Sequence, residues 1–109
     1  MTDLQPIIER MQTVTSGFGP IKLEAQTLVS ANTASDSLNI AKELLESPYY
    51  QARMLATFML GMIADKSPEA FALLLETVSI DPDWRVQEIL AQAFDQYCTN
   101  EGYAPCCLL

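Results

Sequence analysis

The stretch Asp81-Pro-Asp-Trp-Arg-Val-Gln-Glu-Ile-Leu-Ala-Gln-Ala-Phe-Asp-Gln-Tyr97 decides the fold. Val86, Ile89, Leu90, Ala93, Phe94 and Tyr97 recur at three- and four-residue spacing, the apolar stripe of an amphipathic helix. Asp81 supplies a capping carboxylate and Pro82 suits a first helical position. At about 100° per residue, Trp84, Glu88 and Asp95 fall on the side away from that stripe. A tryptophan off the core stripe, one turn before a glutamate, is the most function-like feature of the chain.

Working outward, the same design occurs 34 residues earlier. Ser47 aligns with Asp81, Pro48 with Pro82, Tyr50 with Trp84, Ala52 with Val86, Leu55 with Ile89 and Leu60 with Phe94. The segment Tyr49 to Ala64 predicts a helix that is apolar nearly all round. It carries Ala52, Leu55, Ala56, Met59, Leu60 and Ile63 on one side and Met54, Phe58 and Met62 on the other. Such a helix must be covered on both sides, so it lies inside a stack. Helices are expected before each of these, over about Asp36 to Glu46 and from Ser67 to about Ile80, with Asn32 to Ser35 as a turn. The unit is therefore a helix, a short Pro-containing turn and a second helix. Such pairs bury their apolar faces by stacking into a solenoid. At the N-terminus, Thr2 to Val14 and Ile21 to Ser30 read as a third pair around a loop at Thr15 to Pro20. Thr2 is the expected cap of the first helix and Gly102 the expected stop of the last.

The 109 residues fit one small domain, and a hydrophobic share of 50% rules out a disordered chain. The net charge is −8, histidine is absent, and Arg10, Lys22, Lys42, Arg53, Lys66 and Arg85 are scattered. That leaves no basic footprint for strong phosphate neutralisation. Without histidine no Ser-His-Asp triad can form, and no Gly-rich phosphate loop is present. The longest apolar run, Met54 to Ala64, is shorter than the ~18 residues of a membrane span, so no membrane association is expected. Cys98, Cys106 and Cys107 form no disulfide framework and fit a reducing cytoplasm. Their spacing offers no zinc site, and neither metal nor cofactor is expected. The terminal Cys106-Cys107-Leu108-Leu109 formally fits a prenylation box, without a preceding polybasic stretch.

Ala52-Arg53, Ala56 and Leu60-Gly61-Met62-Ile63 resemble the second helix of a HEAT repeat. Asp81-Pro-Asp-Trp-Arg-Val-Gln-Glu88, followed by Ala93-Phe-Asp-Gln-Tyr-Cys98, resembles the HEAT-like DNA alkylation repair proteins over about residues 1 to 103. The resemblance implies an all-α fold, a short right-handed α-solenoid of antiparallel helix pairs with about six helices. It also implies a grip on duplex DNA with alkylated bases, and glycosylase activity in which an acidic side chain near aromatic rings stabilises a cationic sugar. Trp84 and Glu88 match that pairing by type and by (i, i+4) spacing. Glu88 is thus the candidate catalytic carboxylate, with Trp84, Arg85 and Tyr50 as candidate DNA- or partner-binding residues. Against this stand plainer readings. Trp84 packs on the preceding helix, Glu88 is a solvated carboxylate, and Arg85 is a surface residue. The family's chain continues for several more repeats, whereas this one closes in an irregular tail over residues 104 to 109. The expectation is a domain over residues 1 to 103 that is the N-terminal part of the family architecture, incomplete for catalysis alone. The alternative is a non-enzymatic, protein-binding HEAT-type module. An incomplete stack exposes its last face, with Val86, Phe94, Tyr97 and the Cys-Leu tail as candidates, so a homodimer through that end is expected.

Overall fold

The computed structural model describes residues 4–15 and 17–100. Thr2, Gly102 and the tail 104–109 lie outside the described residues. Six α-helices follow in order: α1 (Gln5–Gln12), α2 (Gly19–Ala31), α3 (Ala34–Leu45), α4 (Tyr50–Ile63), α5 (Pro68–Glu76) and α6 (Trp84–Asn100). A short 3₁₀ turn, Val78–Ile80, links α5 to α6. Among the described residues there is no strand. The all-α stack of helix pairs expected from the sequence is the observed architecture.

The 34-residue repeat reaches down to single hydrogen bonds. The Thr33 hydroxyl caps α3 by accepting the Asp36 N–H at 3.1 Å. The Ser67 hydroxyl caps α5 by accepting the Ala70 N–H at 3.2 Å. In the next turn, Ser47 Oγ accepts the Tyr49 N–H at 3.2 Å, and Asp81 Oδ1 accepts the Asp83 N–H at 2.9 Å. Arg53 Nη1 reaches back to the Ser47 carbonyl at 3.0 Å, and Gln87 Nε2 to the Asp81 carbonyl at 2.9 Å. In each of these pairs the second member stands 34 residues after the first. Side chains thus satisfy backbone groups at the helix ends in the same way twice.

Several boundaries differ from the sequence reading. The Asp81 carboxylate is occupied by Arg53 and by the turn around Pro82, so it does not cap α6. Asp83 does: its carbonyl accepts the Val86 and Gln87 N–H groups, and its carboxylate accepts the Arg85 N–H at 2.9 Å. Gly19 and Pro20, expected in the loop, form the first turn of α2, where proline's missing N–H costs nothing. The helix expected to reach Ile80 stops at Glu76 and gives way to the 3₁₀ turn, where Gln87 Nε2 donates to the Val78, Ser79 and Asp81 carbonyls.

α4 is the centre of the stack. Every residue from Met54 to Gly61 is buried, and α1, α2, α3, α5 and α6 all pack against it. Tyr50 faces Arg85 and Gly61 faces Ala93, so α4 and α6 run parallel, as repeat-equivalent helices should. α5 covers what the sequence left as an open end. Val86 is fully buried, and Phe94 and Tyr97 are half-buried against the Phe71 ring, with centroids 6.1 and 4.6 Å away. Those three residues therefore do not form the exposed end face expected for a homodimer.

Ser37 on α3 is fully buried, and its hydroxyl has no hydrogen-bond partner among the described residues. A buried orphan hydroxyl costs about 1–3 kcal/mol, and alanine is the better helix former. Ser37→Ala is expected to raise stability by about 1 kcal/mol on these grounds. Urea unfolding reads this as a higher midpoint at unchanged slope; a lower midpoint would mean that the hydroxyl is satisfied.

Candidate functional site

The four residues singled out from the sequence, Tyr50, Trp84, Arg85 and Glu88, come together in one cleft of about 440 Å³. Its walls are Tyr50 and Met54 from α4, and Trp84, Arg85, Glu88 and Ile89 from α6. Val14, Thr15, Gly17 and Phe18 of the α1–α2 connection close the third side. The helix starts explain the placement. Tyr50 and Trp84 are the first residues of parallel helices, held in register by the matched Ser47 and Asp81 turns.

Trp84 is 65% exposed, so its indole does not pack into the preceding helix. Glu88 stands one turn later on the same face and is also exposed. Arg85 is not a free surface residue. Its guanidinium carbon lies 4.2 Å from the centroid of Tyr50 and 5.2 Å from that of Trp84. Both distances are within cation–π range. Nη1 of Arg85 is also 3.3 Å from the Asp83 carboxylate. A phosphate would therefore meet a guanidinium already engaged on three sides.

The third wall was missed by the sequence reading. Gly17 adopts φ +74°, a left-handed conformation open to glycine, which turns the loop back toward α4. Gln51, buried in α4, fastens that loop: its Nε2 donates to the Val14 carbonyl at 3.2 Å and lies 3.5 Å from that of Gln12. Phe18 is anchored by Phe58, with ring centroids 5.8 Å apart. The glycines marked a turn in the sequence, but nothing there said which helix it would meet.

A larger groove of about 570 Å³ runs along α1 and α2. It contains no aromatic side chain, and its charged residues, Arg10 and Glu24, are paired with each other at 3.0 Å. The candidate residues read from the sequence all line the smaller cleft. Among the described residues no group of three or more metal-ligating side chains forms, and no helix is long and apolar enough to cross a membrane.

No protein-family model matches the chain, and no curated protein matches it. Solved structures do. AlkD2 from Streptococcus mutans is similar over 90% of this chain and 49% of its own, at 30% identity and a TM-score of 0.81. The protein smu.31 from Streptococcus mutans UA159 is similar over 88% of this chain and 46% of its own, at 30% identity and a TM-score of 0.77. This chain thus spans about half the length of each.

Proposed function

From the HEAT-like fold that this chain shares with the DNA alkylation repair proteins, we propose that the Trp84–Glu88 cleft receives a cationic, alkylated base of duplex DNA. The observation that carries this reading is an exposed indole and an exposed carboxylate one turn apart in a single cleft. Keeping an indole 65% exposed forgoes much of the stabilisation that burying it would bring. A positively charged N-alkylated purine would recover that loss by lying on the indole face.

In the proposed chemistry the C–N glycosidic bond breaks, the base leaves neutral and the positive charge passes to the sugar. In this reading Glu88 stabilises that charge with its carboxylate. Water then bonds to the sugar carbon and gives up a proton to solvent. Histidine is not needed for any of these steps. The working setting we propose is the cytoplasm.

Glu88→Gln is expected to lower release of N-methylated purines by about 10²-fold, the usual scale for losing one preorganised electrostatic group. Trp84→Ala should weaken duplex binding several-fold. Both are measured at low salt, because the chain has few free cations to hold phosphates. Absence of both binding and release at every ionic strength would overturn the reading.

A second reading, a non-enzymatic protein-interaction module, is favoured by the charge pattern. Arg10, Lys42, Arg53 and Arg85 are paired with Glu24, Glu69, Asp81 and Asp83, so the scattered basic residues are largely neutralised. Leu75 and Ile80 are exposed, the latter by 78%, and offer apolar contact away from the cleft. Under this reading Glu88→Gln changes nothing, while Ile80→Asp abolishes partner capture.

A further inference from the structure

The geometry points to Arg85 as a positioning residue that holds the Trp84 indole at the mouth of the cleft beside Glu88. The inference rests on the reading of the cleft just given for its purpose, though not for its test. A side chain as exposed as Trp84 has little packing of its own to fix its rotamer. What it does have is a layered support. The Tyr50 ring lies beneath the Arg85 guanidinium at 4.2 Å, and the indole lies at 5.2 Å from the same carbon. The planar guanidinium suits such stacking, whereas a lysine ammonium is a point charge.

Arg85 is itself held. Asp83 Oδ1 accepts its backbone N–H at 2.9 Å, and Asp83 Oδ2 accepts from Nη1 at 3.3 Å. One carboxylate therefore caps α6 and aims the guanidinium. Asp83 in turn donates its N–H to Asp81, and Asp81 is fixed by Arg53 on α4. A short series of charged groups thus ties the guanidinium that faces the indole to the core. A stack of this strength favours one rotamer about three-fold over its competitors.

Trp84 is the chain's single tryptophan, so its optical signals report this site alone. Near-ultraviolet circular dichroism and fluorescence anisotropy of the full chain are measured for Arg85→Met, Arg85→Lys, Tyr50→Leu and Tyr50→Phe. Far-ultraviolet dichroism checks helix content in each. The expected result is that the indole band and anisotropy fall by about half in Arg85→Met and Tyr50→Leu. They fall partly in Arg85→Lys and hold in Tyr50→Phe, which keeps the ring. An unchanged indole signal in Arg85→Met overturns the proposal. If Arg85→Met loses helix content, Arg85→Lys decides: it keeps the charge, so a native indole signal there overturns the proposal equally. Base release is not among these readouts, so failure of the glycosylase reading and failure of this inference are distinguishable.

Discussion

Gly61→Val is expected to lower the melting temperature by about 15 °C, corresponding to about 3 kcal/mol in a domain of this size. A Cβ at position 61 would lie 2.7 Å from Ala93 Cβ and 2.9 Å from Ala93 Cα. The second atom is backbone and has no rotamer to escape into. α4 is buried on both sides, so it cannot retreat from α6 without disturbing α2 and α3. In an open helix, Gly→Ala would stabilise by about 1 kcal/mol, which sets the sign test. Gly61→Ala should destabilise despite that gain. Adding Ala93→Gly removes the 2.7 Å contact with Cβ but leaves the 2.9 Å contact with the backbone Cα of position 93, so the double change should recover only part of the loss. A rise in melting temperature for Gly61→Ala alone would show that the helices are less closely apposed than described. The contact also bears on the cleft, because the α4–α6 spacing sets how the Tyr50 ring meets Arg85.

The other large effect is expected at Asp81. Its carboxylate pairs with Arg53 Nε at 2.7 Å, with side chains 16% and 8% exposed for arginine and aspartate. Removing one member of so enclosed a pair leaves an uncompensated charge, at a cost of about 3–5 kcal/mol. Asp81→Ala also deprives the Asp83 N–H of its acceptor. The Ser47 carbonyl still receives Arg53 Nη1, so the lower end, about 3 kcal/mol, is expected. Asp81→Asn keeps an acceptor for the turn and should lose about half as much. Replacing both partners, Arg53→Met with Asp81→Leu, should recover much of the stability, because apolar packing often equals a buried ion pair. Denaturant unfolding of the wild type, Arg53→Met, Asp81→Leu and the double change gives the coupling. A coupling near zero would make the pair incidental, and the tie of the Arg85 guanidinium to the core would then have to run elsewhere.

The sequence and the structure agree most closely where periodicity alone was sufficient. The apolar stripes of α4 and α6, the 34-residue offset and the all-round burial of α4 follow from residue spacing, because helical geometry fixes which residues share a face. Agreement is weakest at helix ends. Asp81 and Asp83 are chemically equal candidates for the α6 cap. The choice falls to Asp83 because Arg53, 28 residues away in the chain, claims Asp81. No local rule contains that arginine. Gly19 and Pro20 likewise read as loop residues until α2 is seen to begin on them.

For the candidate site, the sequence by itself determined that Trp84 and Glu88 share one helix face and that Tyr50 is the repeat counterpart of the indole. Those are consequences of fixed spacing along a regular chain. Only the tertiary structure decided that the Arg85 guanidinium lies over both rings, that Gly17 and Phe18 wall the cleft, and that Phe71 of α5 covers Phe94 and Tyr97. Each of these depends on how far apart separate helices sit and at what angle a loop returns. Such distances are set by side-chain volumes meeting across interfaces, as at Gly61 and Ala93, and no single segment of sequence encodes both sides of an interface.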